Sequence, residues 1–197
     1  MSYLPFWLIL WLLPGTQTTT ETITYKVYFS GSDIGTITAT KKTIGNTEHY
    51  SVFSDVEYNS WLYDHQRTTN VSGVMVRGAL AESRSKVTEY GEIEVDAHTK
   101  RKGDSYTAKP HDGEAFTVDG PIDFISIMLY FQEPKGKSRI YSESHLDFCK
   151  VKPIGNGVYE YETPEGKTND YKYENGKLVE VKIYRTLVNL TIERASP

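Results

Sequence analysis

The chain has one cysteine, Cys149, in 197 residues, so it can form no internal disulfide. It also lacks a concentrated cationic surface. Its densest basic run, Lys100-Arg101-Lys102, abuts Gly103-Asp104, and the formal net charge is −4. Nucleic-acid binding, which needs clustered cations, is thereby excluded, and the run reads as a solvated turn. No two histidines stand at a metal-ligand spacing, so His49, His65, His98 and His111 read as surface or turn residues and no metal is expected. No glycine-rich loop opens a helix. Gly155-Asn156-Gly157 is therefore a turn and not a phosphate cradle, and no cofactor is expected. Alternating carboxylates such as Glu92/Glu94 and Glu160/Glu162 suit wet strand faces better than glycosidase chemistry.

Long apolar runs are scarce as well. One block, Leu4 to Leu13, is broken by Pro14-Gly15 and followed by small polar residues through Thr20. About ten residues fall short of a membrane-spanning helix and suit the apolar core of a secretory signal. The block has no basic residue before it and no A-x-A site after it, and no cysteine follows to carry a lipid. The expectation is a signal peptide over 1–20, or else an uncleaved N-terminal anchor. A single domain over 21–197 follows it, exported to the periplasm or beyond and not membrane-spanning once the signal is removed.

What the chain does have is strand. Fifteen Tyr and abundant Thr and Val favour a pleated surface. Glu21 to Ser30 alternates, with Ile23, Tyr25, Val27 and Phe29 on one face. Ile34 to Lys42 returns with Ile37 and Ala39 inward, and His49 to Tyr58 places Tyr50, Val52, Val56 and Tyr58 together. Asp64 to Val76 alternates weakly, and Val87 to Val95 divides near Gly91. Ala97 to Asp112 reads as an exposed hairpin, and Ser138 to Lys150 as a strand. Asn175-Gly176 is the strongest hairpin signal. Within Lys177 to Arg194, Val179, Val181 and Ile183 share one parity, while Val188, Leu190 and Ile192 have the other. That change predicts a bulge or sharp bend near Tyr184 to Leu187. The pattern is an all-β antiparallel meander forming a full or partial barrel.

One stretch breaks that pattern. Asp119 can cap a helix, Pro121 suits its first turn and Pro134 ends it. Ile122, Phe124, Ile125, Met128, Leu129 and Phe131 then leave almost no polar face. A short buried helix over 121–132 is expected, with the sheet wrapped around it.

Chemistry is sparse. On a continuous strand His145, Asp147 and Cys149 would share a face, as a metal site or a Cys–His pair would require, but further ligands or oxyanion donors are not identifiable. The plainer reading is a half-buried cysteine beside a wet face, and no catalytic residue and no enzyme activity are expected. Trp61, Tyr63, Phe124, Met128 and Phe131 could line an apolar pocket between wall and helix, or fill the core.

Several of these segments carry a resemblance. Tyr25-Lys26-Val27-Tyr28-Phe29 with its Gly31 turn, Pro121 to Phe131, Tyr161 to Gly166 and Tyr171 to Leu178 resemble a group of uncharacterised exported bacterial β-barrel-like proteins. That group is found mainly in Bacteroidetes and is classed as a domain of unknown function. The resemblance implies an extracytoplasmic barrel-like domain and carries over no site residues. Two functions fit. The first is an envelope protein binding a lipid or other apolar or amphipathic small molecule between wall and helix. The alternative is a non-catalytic structural or assembly component that docks on another envelope protein through exposed strand edges near 64–76 or 97–112.

Overall fold

Among the described residues, fourteen antiparallel strands form one sheet, in the order β8-β7-β6-β5-β4-β3-β2-β1-β14-β13-β12-β11-β10-β9. The computed structural model describes residues 17–59, 64–184 and 189–196. The first half holds β1 (Thr18–Phe29), β2 (Ser32–Ile44), β3 (Thr47–Asn59), β4 (Asp64–Val76), β5 (Ala79–Glu89), β6 (Glu92–Lys102), β7 (Ser105–Lys109) and β8 (Phe116–Val118). After a 3-10 helix at Ser126–Tyr130 come β9 (Arg139–Ser142), β10 (Asp147–Gly155), β11 (Val158–Glu162), β12 (Thr168–Glu174), β13 (Lys177–Tyr184) and β14 (Asn189–Arg194). Within each half, strands consecutive in sequence are neighbours in the sheet, β14 pairs with β1 to unite the two halves, and residues 119–138 run from β8 at one edge to β9 at the other.

Alternation sets which face is inward. Ile23, Tyr25 and Val27, then Ile34, Ile37 and Ala39, then Tyr50, Val52 and Val56 are buried, while Phe53 between them is about half exposed. A strand with period-two burial can be wet on one side only, so the sheet must curl to cover the other. It curls until its β9 end reaches the inward face of β5 and β6. There Tyr141 shares a 2.7 Å hydrogen bond with Thr99, and Ser144 shares one of 2.7 Å with Ser85. The segment before the helix caulks this seam. Ile122 O accepts from Leu80 N at 2.8 Å, Phe124 O accepts from Tyr141 N at 3.0 Å, and Ile125 bridges Tyr141 in parallel. The barrel is thus completed by a spiral overlap and not by a continuous ladder.

The structure corrects four expectations. The buried helix exists but spans only Ser126–Tyr130, with Ile125 extended at its cap position. Residues 122–125 are needed as backbone partners for β5 and β9, which a helix would deny them. Lys177 to Arg194 is not one bulged strand: β13 and β14 are antiparallel partners, with Tyr184 opposite Asn189, so the parity change marks a reversal. A smaller irregularity lies between Lys172 and Tyr173 of β12, opposite β13. Residues 185–188 lie outside the described residues. Ser138 to Lys150 is likewise a hairpin, β9 and β10, turning at 143–146 with Leu146 at φ 55°. Finally, β4, β6 and β7 are paired on both sides, so 64–76 and most of 97–112 are not sheet edges, and Ala97, Thr99, Tyr106 and Ala108 are buried. The weak alternation of β4 reflects His65, Arg67 and Thr69 on its inward row, with Gly73 on the same row. The Asn175-Gly176 turn is as expected, both residues having positive φ.

Gly73 has a packing role. A Cβ there would stand 2.5 Å from Ile125 Cδ1 and 3.4 Å from Ile127 Cδ1, so the bare backbone makes room for the helix. Gly73→Ala is expected to cost about 1–3 kcal/mol through overpacking. Urea unfolding measures this, and an unchanged midpoint would show that Ile125 swings aside freely.

Candidate functional site

The 3-10 helix is held at both ends by polar groups reaching in from the wall. At its start the first backbone N–H groups have no partner within the helix. Glu143, in the β9–β10 turn and buried, supplies one: it accepts from Ser126 N at 3.1 Å, Ile127 N at 3.2 Å and the Ser126 hydroxyl. Desolvation raises the Glu143 pKa above the usual carboxylate range, against the lowering effect of those bonds. At the far end Tyr25 Oη donates to Tyr130 O at 2.8 Å and Tyr173 Oη donates to Leu129 O at 2.7 Å. Burial raises the pKa of both phenols, so they stay neutral donors.

Phe124 and Met128 lie within the closed core around this helix, and Phe131 is half-buried with its ring 5.5 Å from that of Tyr50. Trp61 and Tyr63 fall outside the described residues. Neither the hollow beside the β1–β2 turn nor the one beside Arg84 and Lys109 is lined by Phe124, Met128 or Phe131.

His145 sits in the turn, so it does not share a strand face with Asp147 and Cys149. Its Nδ1 is 2.8 Å from Ser142 Oγ and its Nε2 is 3.3 Å from Glu165 Oε2. A serine, a histidine and a carboxylate in line resemble a hydrolase triad. Here, however, Ser142 is buried and also accepts from His145 N at 3.3 Å, which makes it a turn-fastening group. Burial pushes the Cys149 thiol up to about 11. Among the described residues no group of three or more His, Cys, Asp or Glu side chains is placed to hold a metal.

A different cluster stands on the inward row of β4. That row is buried at Met75, Gly73 and Val71 and half-buried at Thr69, Arg67 and His65. Arg67 faces Val56 on one side and Glu89 on the other. Its Nη1 is 3.1 Å from Glu89 Oε2 and 2.7 Å from Glu94 Oε2, while His65 Nδ1 is 3.1 Å from Glu89 Oε1. Glu94 belongs here because the β5–β6 register slips between Val87 and Thr88, which pair with Val95 and Ile93 and leave Glu94 unopposed. A bulge re-aims one side chain, and this one brings a second carboxylate onto the same guanidinium. The hydrogen bond between the two carboxyls holds Glu89 above its ordinary pKa and Glu94 below it. An aromatic pair, Phe29 and Tyr58, stacks edge to face at 4.7 Å on the inner side at the same end. A separate hollow of about 770 Å³ lies between the β1–β2 turn and Asn189, Thr191 and Glu193 of β14; these three alternate with the buried Ile192, so it opens on the outer side of the sheet and not on the inner rim. One rim thus combines apolar rings, a guanidinium and a proton-sharing carboxyl pair. The sequence reads His65 as a surface or turn residue and Arg67 only as part of a weakly alternating stretch. The available signal was the extra residue between Glu89 and Val95.

A family model described as a domain of unknown function, DUF6134, matches residues 25–195. No protein with a curated description matches the chain. Among solved structures it is similar to the crystal structure of a β-barrel-like protein of domain of unknown function DUF1849 from Brucella abortus. The TM-score is 0.50 at 12% identity, covering 92% of this chain and 98% of that one. At that identity the likeness speaks for the fold.

Proposed function

The chain belongs to the DUF6134 family, and from that premise we infer that it is an exported, non-catalytic cell-envelope protein that binds an amphipathic small molecule at the open rim of its barrel. The observation that carries this reading is the bulge-built cluster of Arg67, Glu89 and Glu94 on the inner wall beside Phe29 and Tyr58. These charges are offset by their own pairing and are still partly open to solvent, so a polar ligand head can reach them, and the rings beside them suit a ligand's apolar body. Export is supported by the apolar block Leu4 to Leu13 and by the start of β1 at Thr18, shortly after it. The non-catalytic reading is supported by the protonated, buried thiol of Cys149 and by the inaccessibility of Ser142.

Native mass spectrometry of the protein recovered from the envelope should show a co-purifying lipid or small molecule. A fluorescent amphipathic dye should bind saturably, with affinity reduced about tenfold in Arg67→Gln, as loss of a charge-assisted contact implies. Reproducible absence of both a bound molecule and dye uptake would sink the ligand reading. Cell fractionation that left the protein in the cytosol would sink the export reading separately.

A further inference from the structure

We propose that the outer face of β5–β7 carries an anion site that takes a phosphate-type group, distinct from the inner-wall site and on the opposite side of the sheet. Buried Ser85, Ala97 and Ala108 point inward, so their neighbours Arg84, His98 and Lys109 point out. The register sets these three directly opposite one another, Arg84 against His98 and His98 against Lys109. Arg84 and Lys109 are thus two cations flanking His98 on one sheet face, an arrangement that an anion between them would compensate.

One carboxylate is present, and it is committed. Asp96 accepts from Arg84 Nε at 3.2 Å and from Arg84 Nη2 at 3.0 and 3.1 Å, a two-pronged pair that fixes the guanidinium plane and leaves Nη1 outside it. Among the described residues no carboxylate pairs with Lys109. Pro110 ends β7, and His111 follows to close the hollow. The space bounded by Arg84, Asp96, His98, Lys109, Pro110 and His111 is about 380 Å³, within the range of small-molecule sites. Lys86, opposite Asp96, and Lys100, opposite Glu82, extend the same outward face. On a chain of net charge −4 it is a local cationic spot. A guanidinium edge, an ammonium and two imidazoles converging on one hollow match the oxygens of a phosphate monoester, free or as a lipid headgroup.

The test is a titration of the folded protein with inorganic phosphate at constant ionic strength, followed by amide NMR. Alongside it runs co-sedimentation with phosphatidylcholine vesicles that contain or lack phosphatidic acid. Saturable shifts at residues 84, 98 and 109–111 are expected, weakened about tenfold in Lys109→Gln and in His98→Gln but unchanged in Lys177→Gln, which sits in the remote β12–β13 turn. Two variants guard against one failing to fold. Phosphate binding without vesicle binding assigns the site to a soluble phosphate, and vesicle binding without phosphate binding assigns it to a headgroup. Shifts that do not saturate in either arm, or that survive both variants, would overturn the proposal. Because the dye readout uses Arg67, failure here leaves the rim site standing, and the reverse holds equally.

Discussion

Glu143→Ala should lower stability by about 4 kcal/mol, because the buried Ile127 N–H and the half-buried N–H and hydroxyl of Ser126 lose their acceptor together. Each orphaned donor costs about 1–3 kcal/mol, the buried Ile127 N–H most, since water reaches it least. For a chain of this size the loss corresponds to a fall in melting temperature of roughly 10 °C. Glu143→Gln keeps one acceptor oxygen but points an amide donor at the others, so it should fall between wild type and the alanine variant. The pH dependence distinguishes the carboxyl from a generic acceptor. Desolvation holds the folded Glu143 pKa above its unfolded value, so between the two values the folded state binds more protons than the unfolded state. Stability from this group is therefore full in acid and declines as pH rises through that window. Other carboxyls, Glu133 and Glu162 among them, have lowered values and slope the opposite way, so the informative quantity is the gap between wild type and Glu143→Gln. That gap should be widest near pH 4 and narrow toward neutrality. A gap that widened with pH would mean the three donors outweigh burial and hold the group ionised.

The dependence on Glu143 also shows where sequence reasoning stops. Strand parity named Ile23, Tyr25, Val27, Tyr50, Val52 and Val56 as the inward row, and all are buried, because period-two alternation is a local property of strand geometry. The buried apolar segment and the Asn175-Gly176 turn were legible for the same reason. Glu143 was not. Nothing in Ser142-Glu143-Ser144 distinguishes a carboxylate that enters the core from one in water, since the difference lies in the position of Ser126 seventeen residues earlier. The length of the helix was misread for a related reason: Ile122 to Ile125 have helical spacing, but the gap between β5 and β9 claims their backbone groups. The β9–β10 reversal was hidden because His145 to Cys149 keep strand parity across a turn that parity cannot reveal. The rim cluster depends on a register slip at Glu94, and pairing register is a property of two strands and not of one. Trp61 and Tyr63 stand between β3 and β4, outside the described residues, so their part in any site rests on the binding experiments.

Phe124→Ala should cost about 4 kcal/mol and create a hollow that wild type lacks. Phe124 is 4% exposed, belongs to the same core cluster as Ile122, Ile125 and Met128, and has the Lys137 ammonium 5.9 Å from its ring centre. Truncating a fully packed phenylalanine loses its transfer free energy and leaves a cavity that rigid neighbours cannot fill, together about 3–5 kcal/mol. Here the neighbours are held by main-chain bonds to β5 and β9, so little collapse is expected. Two measurements separate a packed core from a pocket wall. In a packed core the melting temperature falls by roughly 10 °C, and the new apolar void takes up xenon or benzene that wild type does not bind. In a pocket wall the ring already faces free volume, so truncation costs far less, and wild type itself accepts the probe at Phe124. Met128→Ala makes the same comparison four residues on, inside the 3-10 helix, at about 2–5 kcal/mol for a buried methionine. If both variants lose stability and gain probe binding, the amphipathic ligand must bind at the rim, where Arg67 and Glu89 meet Phe29 and Tyr58. If wild type already binds the probe beside Phe124, the ligand seat lies between wall and helix, and the rim cluster is its polar entrance.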